Sequence, residues 1–204
     1  MKIICIGRNY AQHAKELNNP IPEEPVVFLK PDTAILLKKH PFFIPEHSND
    51  VHHEIEVVVK FNRLGKHIAP RFAHTYYDEI ALGIDFTARD VQTRCKENGL
   101  PWEKAKAFDG SAAVSRFFSL DKVGKDIQDI NFHLDINGKT VQEGNTSNML
   151  FPVDELISHV SKYFTLKTGD LIFTGTPSGV GRVERGDLLE LFLEKERIFY
   201  FNVK

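Results

Sequence analysis

The residue types most suited to chemistry stand in His52-His53-Glu54-Ile55-Glu56-Val57-Val58-Val59. In a strand, alternate side chains share a face, so His52, Glu54, Glu56 and Val58 line up, with Ile55, Val57 and Val59 opposite. Both faces turn apolar by Val58, which predicts a central strand. Two carboxylates at the mouth of such a strand are costly unless something compensates them. Their α-carbons lie ~6.6 Å apart at the usual strand rise, so both side chains can converge on one ion. Carboxylate oxygens favour a hard cation, and no cysteine cluster competes for a soft one. The same spacing also suits a solvated edge. Asp85 ends the apolar run Ala81-Leu82-Gly83-Ile84 and offers a third ligand, or else a plain turn aspartate.

Other segments carry weaker signals. His13 and Glu16 are three apart and meet on one helical face, where a carboxylate can orient an imidazole and raise its basicity. An ordinary exposed pair has the same spacing. Gly175-Thr176-Pro177-Ser178-Gly179-Val180-Gly181 follows an apolar run and can present backbone N–H groups to an anion, or simply turn the chain. It lacks the Gly-Lys-Ser/Thr ending of a phosphate-binding loop and the helix of a dinucleotide fingerprint, which excludes nucleotide binding. Lys104 and Lys106 follow Pro101-Trp102-Glu103, and lysines are solvated by default.

The elements that must position these residues read as follows. Strands are predicted at Ile3–Ile6, Val26–Leu29, Ile35–Leu37 and Glu54–Phe61, and over Ile80–Ile84 up to Asp85. A helix runs from Tyr10 to about Leu17 and is stopped by Asn18-Asn19-Pro20-Ile21-Pro22. A second starts with Thr87 as N-cap and ends near Asn98, with Gly99 beyond it. A third spans Val153–Tyr163, with Pro152 at its first position. Asn137-Gly138 after the alternating Phe132–Ile136 is the strongest hairpin signal. Two similar turn-to-strand segments start at Gly169 and Gly186. With three short helices and no βαβ rhythm, the pattern argues for a β-roll or barrel-like core rather than a doubly wound sheet.

The whole chain has 204 residues, a size for one domain with at most a small lid. The net charge of −2 and the absence of a basic stripe exclude a nucleic-acid binder. No apolar run approaches the ~20 residues of a membrane span. Two cysteines make no secreted framework, and together with the short apolar run after Met1 they predict a cytoplasmic protein.

Taken in order, several segments resemble the fumarylacetoacetate hydrolase family. They are Gly7-Arg8-Asn9-Tyr10-Ala11-Gln12-His13, Lys30-Pro31-Asp32-Thr33, His53-Glu54-Ile55-Glu56 and Gly83-Ile84-Asp85-Phe86-Thr87-Ala88-Arg89-Asp90. Leu100-Pro101-Trp102, Lys106-Ala107-Phe108-Asp109, Gln142-Glu143-Gly144-Asn145-Thr146 and Phe173-Thr174-Gly175-Thr176-Pro177-Ser178-Gly179-Val180-Gly181 continue the series over nearly the whole chain. Each is weak alone; the ordered set is specific.

The resemblance implies a mixed α+β, strand-dominated fold, the family's β-roll or barrel-like core with short peripheral helices. It implies one catalytic domain over 1–204, with 10–25 as a mobile lid, commonly assembled as a homodimer. Glu54, Glu56 and Asp85 map onto the family's Mg2+ or Mn2+ ligands. His13 and Glu16 map onto the lid dyad. Arg89, Gln92, Lys106 and Thr176 map onto substrate-positioning groups, with Lys106 counted among the catalytic residues and preferred over Lys104. The long N-terminal domain of fumarylacetoacetate hydrolase proper is absent, so the chain resembles the short branch of acylpyruvate hydrolases and oxaloacetate decarboxylases. The implied reaction cleaves a C–C bond of a small 2-oxo acid through a metal-stabilised pyruvate enolate. The family also contains isomerases of hydroxymuconate-type dioates, a second expectation. A non-catalytic protein that binds a 2-oxo acid is a third, and the presence of both dyad residues speaks against it.

Overall fold

The apolar and alternating runs become fourteen strands arranged in three sheets. The computed structural model describes residues 1–17 and 19–204. The strands are β1 (Ile3–Gly7), β2 (Val26–Lys30), β3 (Val51–His53), β4 (Ile55–Phe61), β5 (Tyr77–Asp85), β6 (Thr87–Ala88) and β7 (Ala112–Val114). They continue as β8 (Phe118–Ser119), β9 (Asn131–Ile136), β10 (Lys139–Asn145), β11 (Leu171–Phe173), β12 (Gly181–Arg182), β13 (Leu188–Leu193) and β14 (Glu196–Asn202). The helices are α1 (Ala11–Glu16), α2 (Pro70–Ala73), α3 (Arg89–Glu97), α4 (Glu103–Lys106), α5 (Leu120–Val123) and α6 (Val153–Tyr163).

The largest sheet has the order β2-β1-β11-β4-β5-β7, with β8 also on β5; a four-stranded sheet runs β10-β9-β13-β14 and a small one β12-β3-β6. None closes on itself, so the expected roll-like core is built from open sheets. The one parallel pair of the large sheet is β1 with β11; the rest are antiparallel. The main core lies between the large sheet, the four-stranded sheet and α6, and holds Ile4, Phe61, Leu82, Leu134, Ile157 and Leu191. A second cluster with Ile3, Cys5, Val58, Ala81 and Phe173 covers the other face of the central strands. Those strands are therefore buried on both sides, as their unbroken apolar runs require. Among the described residues no helix is long and apolar enough to cross a membrane.

Several local expectations need correction. Ile35–Leu37 is not a strand; Ile35 makes an isolated bridge to Ala112 after a short 3-10 turn. The expected Glu54–Phe61 strand forms as β4 from Ile55 on, one residue shorter, with Glu54 at the break between β3 and β4. Thr87 does not cap α3; it lies in β6, buried, and Ala88 takes the cap position without a side-chain hydrogen bond. Pro152 is the cap of α6 rather than its first helical residue. Three further helices of a single turn, α2, α4 and α5, had no periodic signal to reveal them. The Asn137-Gly138 hairpin forms as expected, with φ of 54° and 77° suited to a type I′ turn. Of the predicted stop to α1, Asn18 lies outside the described residues.

Candidate active site

Two central strands end at one place and deliver the carboxylates there. β4 and β5 pair with Ile55 opposite Ile84, and the Asp85 N–H donates to the Glu54 carbonyl at 2.9 Å. Glu54 and Asp85 are thereby neighbours across the ladder, and Glu56 follows on the same face as Glu54. All three are buried, and their ligand-type oxygens lie within 4.8 Å of one another.

Buried carboxylates this close repel each other unless cations are built around them. Lys106, on α4, donates to Glu54 Oε2 and to Asp85 Oδ2, each at 2.8 Å. Arg89, the first residue of α3, pairs through Nη2 with Glu54 Oε1. Lys30, fully buried at the end of β2, places Nζ 2.8 Å from Asp85 Oδ1. That approach is an ion pair without hydrogen-bond alignment, because Lys30 donates to the Lys106 carbonyl and to Ser111 instead.

The two glutamates are pushed in opposite directions. Burial opposes ionisation of Glu54, but Lys106, Arg89 and His13 outweigh it and hold its carboxyl well below the usual range. Glu56 goes the other way: burial and the charges of Asp85 and Glu54 push it well up, and the Gly175 N–H offsets this in part. Burial alone would lower Lys106, but Asp85 and Glu54 overcome that and raise it.

The turn after β11 closes the floor. Gly175 donates its N–H to Glu56 Oε2 at 2.7 Å, so the loop does present an N–H to an anion, here the protein's own carboxylate. Gly175 has φ of 103°, and a Cβ there would come within 2.6 Å of Asn9 Cβ, so only glycine fits. Asn9 ties this region together, donating to the Phe151 and Thr174 carbonyls and accepting from the Phe151 N–H.

α1 forms the roof. His13 is buried, with Nδ1 3.1 Å from Glu16 Oε2, and Glu16 Oε1 accepts from the Gly179 N–H at 2.9 Å. His13, the three carboxylates, Arg89, Gln92, Lys106 and Thr176 line one cleft. Every expected site residue therefore sits in or against this cleft, Glu16 reaching it through His13. Lys104 is exposed on the other side of α4.

Some contributors stood in the quoted segments without a role being assigned to them. Lys30 is one. Gln142 is another: it accepts from Ile55 N, pairs with His53, and donates to Thr176 Oγ1 and the Pro177 carbonyl, each at 3.0 Å. It thus fixes the Thr176 loop against the strand that carries Glu56. His52 spans Asp50 and Arg89 and steadies the guanidinium. Both segments were visible as motifs, yet their roles depend on contacts between distant elements.

The donor set fits a hard divalent cation. It is all oxygen, it converges, and buried Asp85 Oδ1 has no hydrogen-bond donor of its own.

Known proteins share this arrangement's sequence. The mitochondrial oxaloacetate tautomerase FAHD1 of Rattus norvegicus is 45% identical over 188 residues, covering 92% of this chain and 85% of the relative. A mitochondrial oxaloacetate decarboxylase of Dictyostelium discoideum is 43% identical over 190 residues, covering 93% and 87%. The crystal structure of fumarylpyruvate hydrolase from Pseudomonas aeruginosa, in complex with Mn2+ and pyruvate, superposes with a TM-score of 0.93 at 34% identity, covering 100% of this chain and 89% of that one. Residues 2–198 match the family described as fumarylacetoacetate (FAA) hydrolase, C-terminal, so the match spans both the carboxylate strands and the His13 roof, and the chain belongs to the fumarylacetoacetate hydrolase family.

Proposed function

We propose that this chain is a Mg2+- or Mn2+-dependent enzyme that cleaves a C–C bond of small 2-oxo acids, by acylpyruvate hydrolysis, oxaloacetate decarboxylation or both. The observation that carries the reading is an acid–base dyad facing a buried carboxylate triad across one cleft. The names of the relatives, which cover an oxaloacetate decarboxylase and a fumarylpyruvate hydrolase, support it. Glu54, Glu56 and Asp85 would hold the cation. When bound, it polarises the 2-oxo carbonyl and draws off the negative charge that develops there.

The rest falls to the chain's own side chains. Arg89, Gln92 and Thr176 orient the substrate, and Lys106 balances the charge of Glu54 and Asp85 while facing the substrate carboxylate. Glu16 holds His13 through Nδ1, which leaves Nε2 for the reacting proton. In hydrolysis His13 takes a proton from water, whose oxygen bonds to the distal carbonyl carbon. The C–C bond then breaks, its electron pair stays on the pyruvate fragment, and a proton adds at that carbon. In decarboxylation carbon dioxide leaves, and the same pair is protonated with no nucleophile required.

Residues 10–25 act as the lid. α1 roofs the carboxylates, and swinging it away would widen the entry for a substrate, with closure then shielding the reaction from bulk water. Glu16 on Gly179 would be the latch. A homodimer belongs to the same proposal, and analytical ultracentrifugation checks it.

A second reading is keto–enol tautomerisation of oxaloacetate, which none of the initial expectations included. The name of the rat relative points to it, and moving a proton needs no attacking water beside the substrate. Purified protein with Mg2+ or Mn2+ separates the readings: enol absorbance, carbon dioxide release and acylpyruvate cleavage are independent signals. His13→Ala should slow acylpyruvate hydrolysis by ~10²–10⁴-fold, the contribution of a positioned acid–base group, and slow decarboxylation less. Absence of all three activities in the wild type would refute the proposal.

A further inference from the structure

Two cations of the cleft are not used by the mechanism above. Arg8, between β1 and α1, and Lys96, on α3, line the same cavity as the carboxylates. Among the described residues neither has a carboxylate within ion-pair distance. The contrast with Lys30, Arg89 and Lys106 is sharp, because each of those is held by Glu54 or Asp85.

Both residues sit on ordered backbone. Arg8 has φ of 59°, in the left-handed region that suits glycine, and the next residue, Asn9, is pinned by three hydrogen bonds. The turn therefore holds the Arg8 backbone in place at the edge of the cleft its side chain lines. Lys96 follows Arg89 and Gln92 on α3 at spacings of three and four, so all three line the cleft from one helical face. Its ammonium lies 5.8 Å from the centroid of the Trp102 ring, which anchors it at the rim. Burial, with the positive charges of Arg8, Arg89 and Lys106, holds Lys96 below the usual lysine range. Cations brought together without an anion of their own are costly, and a bound anion removes that cost.

We propose that Arg8 and Lys96 form a second carboxylate site at the rim of the cleft, which takes the distal carboxylate of a four-carbon 2-oxo dicarboxylate. This rests on the 2-oxo-acid reading above and narrows it. The 2-oxo acid end is bound at the triad, and the far end is read by a guanidinium and an ammonium from two different elements. An acylpyruvate of similar length carries a neutral ketone in that position and gains little from either cation.

The test uses binding as well as turnover. L-malate and 2-hydroxybutyrate have the same four-carbon chain, with a carboxylate exchanged for a methyl group, and neither has a 2-oxo group to react. Calorimetry on the Mn2+-loaded protein should show wild type preferring malate. Lys96→Met and Arg8→Gly should each cut that preference by roughly 10- to 100-fold, the scale of a lost charge-assisted contact. Arg8→Gly also relieves the left-handed backbone, so its melting temperature should equal or exceed wild type, which separates lost recognition from misfolding. In turnover, the ratio of kcat/KM for oxaloacetate over acetylpyruvate should fall through KM. A wild type without preference for malate, variants that keep it, or variants that lose both ligands equally would each overturn the assignment. Preference for malate with no turnover of oxaloacetate would instead sink the proposed reaction and leave this site standing.

Discussion

The four-stranded sheet and the carboxylate strands use the same residue types under opposite rules. In β9 and β13, Phe132, Leu134, Leu189, Leu191 and Leu193 are buried, while His133, Asp135, Glu190 and Phe192 alternate with them on the wetter face. Charges there sit beside water, as where Arg197 meets Glu190 with its own side chain 51% exposed. At the ends of β4 and β5, Glu54, Glu56 and Asp85 are at most 5% exposed, with Lys30 and Lys106 buried against them. A charge on the first sheet costs little and gives little. A charge in the cleft is tolerable only with its partners, and a set of such charges around converging oxygens is a site prepared for an ion and a substrate.

The largest effect expected on breaking this arrangement comes from Glu56→Gln. It removes one of the three proposed cation ligands, so every activity should vanish, and calorimetry should show loss of divalent-cation binding. The stability of the cation-free protein should move the other way. Because the folded Glu56 carboxyl is raised, the unfolded chain releases its proton first as pH rises. Wild type should therefore lose stability from the ordinary carboxylate range up to the raised value, and then level off. Glu56→Gln should flatten that slope, and added Mn2+ should do the same for wild type. A variant that keeps the slope would show that Glu56 is not the residue under strain.

This contrast also explains what could be read without coordinates. The four-stranded sheet was legible because alternation and Asn137-Gly138 are local signals. The triad was legible as a violation: Glu54, Glu56 and Asp85 interrupt apolar runs where nothing polar belongs. Lys30 was not, because a lysine closing Val26–Lys30 looks like any solvated strand end; only the fold brings Asp85 and the Lys106 carbonyl to its ammonium. Arg8 and Lys96 were hidden for the same reason, since only the fold brings β1 and α3 to the lining of one cleft. Thr87 misled because a threonine before a helix reads as a cap, whereas strand pairing with His52 uses it instead. Ile35–Leu37 misled because three apolar residues in a row do not supply a partner strand.

The second effect in size belongs to Lys30. Lys30→Met keeps the stem's volume and removes the ammonium, which leaves Asp85 Oδ1 without its cation in a fully buried position. Breaking a buried pair from one side typically costs ~3–5 kcal/mol, and urea unfolding of the cation-free protein should show a loss on that scale. Mn2+ should recover part of it by supplying positive charge to the same carboxylate. A loss under about 1 kcal/mol would mean that the cleft behaves like surface, and the comparison between the two regions would collapse.

The smallest effect is expected on the four-stranded sheet, and it is the control that gives the others meaning. Arg197 pairs with Glu190 across β13 and β14 and covers the Tyr200 ring at 5.1 Å. Its guanidinium keeps contact with water, so the pair forms in a high dielectric and trades one set of hydrogen bonds for another. Glu190 is only 13% exposed, but the arginine end is wet, and pairs open to water contribute ~0–1 kcal/mol, with screening by salt reducing it further. Arg197→Ala also uncovers part of the Tyr200 face, and this packing loss does not respond to salt. Urea unfolding at low and high ionic strength separates the two parts: the ionic part should shrink with salt and the packing part should persist. A double-mutant cycle with Glu190→Ala isolates the pair itself. A coupling as large as the Lys30 loss, unmoved by salt, would show that exposure is not what divides these two regions.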